Sequence, residues 1–188
     1  MTRIEAEVIG TERLVLLPQR VEHAREMAAV LSDPALHIFI GGEPATADEL
    51  RSRYARMAAG PSDPAVSWCN WVVRLKEGGG QGRLAGTVQA TIGPAGTETG
   101  TDTGTDGPWL VADIAWVVGT AVQGRGIGTE AARGLVGWLE RQPAVREIAA
   151  CIHPDHTASN AVARAAGLEP TDEWREGEVR WLLRRVAR

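Results

Sequence analysis

The 188-residue sequence predicts a mixed α/β fold of the α+β kind, and three observations predict it. Segments of alternating apolar and polar side chains interleave with segments of helical spacing, in the order β-α-α-β-β-β-α-β-α-β-β, about seven strands and about four helices. Three strand-like segments follow one another in mid-chain, which favours hairpins over parallel crossovers. The stretch AWVVGTAVQGRGIGTEAARGLVGWLE, residues 115–140, passes from an apolar strand through a Gly-rich turn into a helix. The length suits one domain, 1–188, with one sizeable core.

In chain order, RLVLLP (13–18) is a short strand closed by Pro18. VEHAREMAAVLSD (21–33) carries Val21, Ala24, Met27, Ala28 and Leu31 on one stripe, a helix ended by Ser32-Asp33-Pro34. TADELRSRYARMAAG (46–60) is a second helix, with Thr46 and Glu49 spaced as a capping box and Gly60 as its stop. SWCNWVVRLKE (67–77), the turn GGGQG (78–82) and RLAGTVQATI (83–92) form a hairpin. GPAGTETGTDTGTDGP (93–108) is low-complexity, without an apolar anchor, and is expected to be a flexible loop. WLVADIAWVV (109–118) is a strand, IGTEAARGLVGWLERQ (127–142) a helix stopped by Pro143, and VREIAACIH (145–153) a buried strand. TASNAVARAAG (157–167) is a short helix, and EPTDEWREGEVRWLLRR (169–185) two strands around REGE.

Bulk properties narrow the function classes. A net charge of −4 without a basic stripe argues against a nucleic-acid partner. Cys69 and Cys151 match no disulfide framework and no metal spacing, which points to a reducing cytoplasm and no metal site. No basic start runs into an early apolar stretch, and no run of about 18 apolar residues occurs, so neither a signal peptide nor a membrane span is expected. Seven Trp beside one Tyr and one Phe is an unusual balance, read as core packing.

The Gly-rich turn has the chemistry of an anion seat. Gly124, Gly126 and Gly128 let the backbone take open dihedrals and approach a ligand closely. The first N–H groups of the following helix have no internal acceptor and lie at the positive end of the helix dipole. Arg125 adds a full positive charge, and no carboxylate intrudes before Glu130. A P-loop would need Gly-Lys-Ser/Thr, and there is no lysine here. The dinucleotide pattern is formally met by Gly126, Gly128 and Ala131 with Glu147 further on, but too little chain follows for a doubly wound sheet. A turn that needs its glycines only for packing is the bland alternative.

Gln123-Gly124-Arg125-Gly126-Ile127-Gly128 resembles the Q/R-x-x-G-x-G/A signature of the GNAT superfamily of N-acetyltransferases. TERLVLLP is similar to that family's first strand and VARAAGLEP (162–170) to the end of its fourth helix, so the likeness spans most of the chain. The branch it most resembles holds ribosomal-protein N-terminal acetyltransferases and many bacterial enzymes acting on small amines. The resemblance implies a twisted, mostly antiparallel sheet that splays between the fourth and fifth strands. It implies that acetyl-CoA is the cosubstrate, with its diphosphate on residues 124–129, including Thr129. Its pantetheine arm would lie along Trp116, Val117 and Val118 as a substitute strand. The family's helix asparagine falls at His156 when counted back from Gly167, so His156 or Ser159 is expected to contact the coenzyme. The family's tyrosine acid falls at Ala163, which leaves Ser159 or water as proton donor to the thiolate. A homodimer is also common in the family.

Attack of a neutral amine on an acetyl thioester needs a base for the amine proton. Asp113 is the first candidate, because apolar neighbours would raise its pKa, although an ordinary strand carboxylate reads the same way. His153, at the end of the fifth strand, is the second, a residue type that exchanges protons near neutral pH. The developing oxyanion needs a fixed donor, and the family resemblance implies the Val118 N–H for it. For the acceptor, a small-molecule amine or a peptide N-terminus, His37, Phe39, Glu43, Trp68 and Trp174 are candidate pocket residues, each equally readable as packing. A non-catalytic acyl-CoA-binding module is the alternative function.

Overall fold

The computed structural model describes residues 3–76, 82–95 and 109–185. Its strands are β1 (Ile9–Gly10), β2 (Leu14–Pro18), β3 (Ser67–Leu75), β4 (Leu84–Pro94), β5 (Leu110–Val118), β6 (Val145–Ile152), β7 (Glu169–Arg175) and β8 (Glu178–Arg184). Its helices are α1 (Ala24–Val30), α2 (Pro34–Ile40), α3 (Ala47–Ala59), α4 (Ile127–Glu140) and α5 (Thr157–Ala165), with 3-10 turns at Val21–His23 and Thr120–Val122. The strands form one sheet in the order β1-β2-β3-β4-β5-β6-β8-β7. All neighbours are antiparallel except β5 and β6.

The mixed, mostly antiparallel sheet is the one the sequence predicts, with differences at short elements. β1 was not expected, because two residues carry no periodicity; β2 defines it by pairing Ile9 with Leu16. Residues 34–44, expected as a connection, contain α2, whose Asp33 side chain caps Ala35 N–H and whose first helical residue is Pro34. The helix expected over 21–33 opens as a 3-10 turn and is α-helical only over Ala24–Val30. Gly93 and Pro94, placed in the loop by composition, extend β4, because Val111 and Leu110 of β5 pair with them. The turn at 78–82, apart from Gly82, and the rest of the 93–108 loop beyond Ala95 lie outside the described residues.

Both sheet faces are covered. Ile127, Ala131, Leu135, Trp138 and Leu139 of α4 are buried in the larger core. There Trp138 meets Trp71 of β3 edge-on, with ring centroids 5.0 Å apart. Both indole N–H groups donate to Glu7, Trp71 to its carbonyl (2.7 Å) and Trp138 to its carboxylate (3.1 Å). On the other face Met27 of α1 and Leu50 and Tyr54 of α3 pack on Val72 and Leu84. Burial pushes the Tyr54 hydroxyl up to about 12. Gly86 sets the spacing of the central strands: a Cβ there would sit 2.1 Å from the Val117 carbonyl oxygen.

Candidate active site

The parallel ladder between β5 and β6 runs only from Leu110 to Asp113, opposite Val145 to Ala149. β5 continues to Val118 and β6 to Ile152, so the two strands part and leave a wedge. The ladder pattern shows which main-chain groups face it. Val118 pairs with Gly86, and the Gly119 N–H donates to the Ala85 carbonyl (2.8 Å). The Gly86–Val118 pair is therefore one that exchanges no hydrogen bonds, and the N–H and C=O of Val118 point away from β4. Trp116, two residues back, is oriented alike. The Leu110 N–H, in the same alternating set, donates to the Ala144 carbonyl before β6 (2.8 Å). Val117, expected to offer its main chain to the cosubstrate, directs those groups to Thr87 instead.

At the wide end lies the Gly-rich turn. Gly124 and Gly126 have φ of +72° and +75°, left-handed values that glycine adopts without strain. Gly126 is the N-cap of α4, and the first α4 hydrogen bond runs from Glu130 N–H to the Gly126 carbonyl (3.0 Å). The N–H groups of Ile127, Gly128 and Thr129 thus have no acceptor within the helix. Gly128 packs under Val118 and Val162, where a Cβ would lie 3.4 and 3.6 Å from their methyl groups. Gln123 donates its amide to the Val118 carbonyl (2.9 Å), tying the turn to the strand end. A cavity of about 470 Å³ runs from Gln123, Gly124 and Gly126–Thr129 past Trp116–Val118 to His156 and Ser159. The Arg125 side chain is outside that lining, while its carbonyl accepts from Arg13 Nη1 (3.0 Å).

A second cavity of about 260 Å³ adjoins the first, sharing Phe39, Trp116, Val117, His156 and Ser159 with it. It is lined by Ala115, Cys151, His153, Ser159 and Glu178 among others. Phe39, from α2, stacks on His156 with centroids 4.1 Å apart at 18°, and lies 5.8 Å from the His153 ring. Burial, then the nearby His153 charge, lowers the His156 pKa. Burial raises that of Glu178, with His153 opposing and Glu176 adding to the rise. His153 Nδ1 accepts from Asp155 N–H (3.2 Å).

Asp113 does not line this cavity, although the next residue, Ile114, does. It is the last β5 residue paired with β6, and one carboxylate oxygen is buried without a hydrogen-bond partner among the described residues. Burial pushes its pKa up to about 6, Arg175 and Arg180 oppose the rise, and Glu147 adds to it. Arg180, fully buried, lies 3.5 Å from Glu147 and 2.9 Å from Glu173.

The remaining sequence candidates scatter. His37 bridges the Gly41 and Leu31 carbonyls (3.1 and 3.2 Å) and braces α2. Glu43 lines neither cavity of the wedge. Trp68 lies in a separate depression with Arg3 and Met57. Trp174 is 60 % exposed on the edge strand β7 and also lines neither wedge cavity. Asn160, one helical turn past the position where the family's asparagine falls, gives its amide to the Pro154 carbonyl (2.9 Å), and Ala163, at the position of the family's tyrosine, is buried in the core. Sequence reasoning expected the segment 172–178 at the acceptor site but singled out Trp174 there, not Glu178. It also missed Arg13, read only as the start of a strand.

A family model for the acetyltransferase (GNAT) domain matches residues 13–169. The chain belongs to the GNAT acetyltransferase family. No curated protein sequence matches it. Among solved structures, the acetyltransferase from Salmonella typhimurium that modifies the N-terminal serine of a 50S ribosomal subunit protein is similar at TM-score 0.70 and 16% identity, over 96% of this chain and 100% of that one. The aminoglycoside acetyltransferase AAC(6')-Ib, in complex with coenzyme A, is similar at TM-score 0.69 and 20% identity, over 92% and 95%. A GNAT acetyltransferase from Bacillus anthracis is similar at TM-score 0.69 and 18% identity, over 95% and 98%. At these identities the likeness is one of fold. Among the described residues, no helix of this GNAT protein is long and apolar enough to cross a membrane, and no His, Cys, Asp and Glu cluster is arranged to hold a metal.

Proposed function

We propose that this protein is an acetyl-CoA-dependent N-acetyltransferase that acts on the primary amine of a small molecule or a peptide N-terminus. One observation carries the reading. The outward-facing main chain of Trp116 and Val118 forms a track from the bare start of α4 to a second cavity containing His153 and Glu178. The two structural relatives whose described activities involve a protein N-terminus and aminoglycosides support both acceptor classes.

The cosubstrate would supply a thioester whose carbonyl carbon accepts the amine. The chain's own groups do the rest. N–H groups of Ile127, Gly128 and Thr129 hold the diphosphate at the helix start. The Val118 main chain orients the pantetheine as a neighbouring strand would. The Trp116 N–H receives the charge that builds on the acyl oxygen, in place of the Val118 N–H expected from the family resemblance, because Trp116 lines both cavities and Val118 only the first. His153, on the acceptor cavity wall, takes the amine proton. Asp113 is the second candidate base because its pKa of about 6 suits the task. Ser159 returns a proton to the departing thiolate, a role supported by its presence in the lining of both cavities. Glu178 gives the acceptor's positive charge a partner.

Both cysteines are free, which supports a cytoplasmic setting. The test is a mass-spectrometric screen of amines and peptides with acetyl-CoA, reading the gain of one acetyl group and thiol release. Coenzyme A binding without thiol release across the panel would favour the non-catalytic module instead.

A further inference from the structure

The underside of the Gly-rich turn is held by residues that line neither cavity of the wedge. Glu130, one turn into α4, receives three hydrogen bonds from the segment leading into β2. They come from the Thr11 hydroxyl (2.6 Å), the Arg13 main-chain N–H (2.7 Å) and Arg13 Nε (2.6 Å). The Glu130 side chain is 16% exposed and that of Arg13 49%. With Nε fixed on the carboxylate, Nη1 reaches the Arg125 carbonyl (3.0 Å). Nη2 lies 3.4 Å from where a Cβ on Gly126 would stand. One guanidinium therefore spans the acidic side chain of the helix and both residues at which the turn enters it.

We infer that Arg13 is a positioning residue for the cosubstrate's diphosphate, acting through the turn that binds it. The inference rests on the acetyltransferase reading above. Two effects follow from the contacts. A carboxylate roughly one helical turn, about 5 Å, from the start of α4 would repel a diphosphate there, and Arg13 neutralises it. A loop carbonyl is the wrong pole for an anion, and Arg13 occupies the Arg125 carbonyl, fixing the peptide plane that leads to Gly126. An arginine suits the task because its planar fork serves carboxylate and carbonyl together, which a lysine ammonium on a flexible stem does not. Burial pushes the Glu130 carboxyl up, but the hydrogen bonds from Thr11 and Arg13, with the Arg13 charge, outweigh it and hold the group below its ordinary range.

The experiment compares the full-length protein with Arg13→Ala and Arg13→Lys against three probes. Coenzyme A and dephospho-coenzyme A, which both carry the diphosphate, are titrated calorimetrically; pantetheine, which lacks it, is followed by NMR shifts. Arg13→Ala is expected to weaken both diphosphate probes equally, by roughly tenfold or more, and to leave pantetheine unchanged. Arg13→Lys is expected to recover only part of the loss, and carries the test alone if the alanine variant does not fold. Undiminished coenzyme A binding by both variants overturns the inference, as does a proportional loss of pantetheine, which would mark a general scaffold role. A wild-type protein that binds none of the three overturns the acetyltransferase reading, and this inference with it.

Discussion

The cradle at the start of α4 is made of main chain from one continuous stretch. The second cavity further along the same wedge, the proposed acceptor site, is lined by residues from α2, β5, β6, α5 and β8. That contrast separates what the two ends can tolerate. Under the proposed function, main-chain donors aimed by glycine dihedrals would serve any ligand with a diphosphate, so the cradle would encode the cosubstrate. Side chains gathered from distant elements would encode the acceptor, and each could change without disturbing the cradle. Substitutions at the two ends should therefore fail in different ways: at the cradle through coenzyme A affinity, at the acceptor end through turnover.

The largest effect should come from Gly126→Val. A β-branched residue at φ +75° is strained by about 1–2 kcal/mol or more, and relief of the strain swings the first α4 N–H groups off the ligand. Coenzyme A affinity by calorimetry should fall by about two orders of magnitude, while the melting temperature falls by only a few degrees. If affinity survives, the cradle does not hold the diphosphate and the contrast is broken.

Next in size is His153→Ala. Loss of a general base ordinarily lowers turnover by about a hundredfold or more, so kcat/KM for the amine should drop by that order with coenzyme A affinity unchanged. Asp113→Asn separates the two candidates. Because Asp113 is not among the residues lining the cavity, its replacement should lower kcat/KM less than fivefold. A hundredfold loss in that variant, with His153→Ala nearly silent, would exchange their roles.

Asp113 should instead show in stability against pH. Its folded pKa is raised from 3.8 to about 6, so between those values the folded chain keeps a proton that the unfolded chain releases. The contribution is fully present below about pH 4 and is lost as pH rises through about 6. Asp113→Asn cannot ionise. It should melt above the wild type at pH 7–8 and show no such advantage below pH 4, measured by thermal scans across the range.

The same contrast explains how far the sequence could be read. The cradle was legible because glycines, a strand and a helix start lie in one stretch, where spacing translates directly into geometry. The helices were legible because Met27 and Leu135 declare a face by period alone. The acceptor end was not. Trp68 and Trp174 share an aromatic character with Phe39, yet only Phe39 reaches the wedge, because α2 carries it there and no local signal marks that helix's direction. Glu178 became a wall residue only once β8 was seen to insert beside β6. Arg13 and Glu130 illustrate the same limit across 117 positions of sequence.

The smallest effect, and the one that sharpens the comparison most, is expected from Phe39→Ala. Phe39 stands at the junction of the two cavities and touches no cradle residue's main chain through any hydrogen bond; its contact is the stack on His156. Coenzyme A affinity should shift by no more than about twofold to threefold, in the range of one lost stacking contact on a partly exposed ring. Two further readouts should move. Removing the ring admits water to His156, whose lowered pKa comes first from burial, so its NMR titration midpoint should rise toward the ordinary histidine value. Opening the wall between the cavities should also improve the relative use of propionyl over acetyl thioester, since the added methyl gains the space the ring filled. An unchanged His156 midpoint with unchanged acyl preference would show that the stack does not divide the wedge, and that cofactor and acceptor share one undivided cavity.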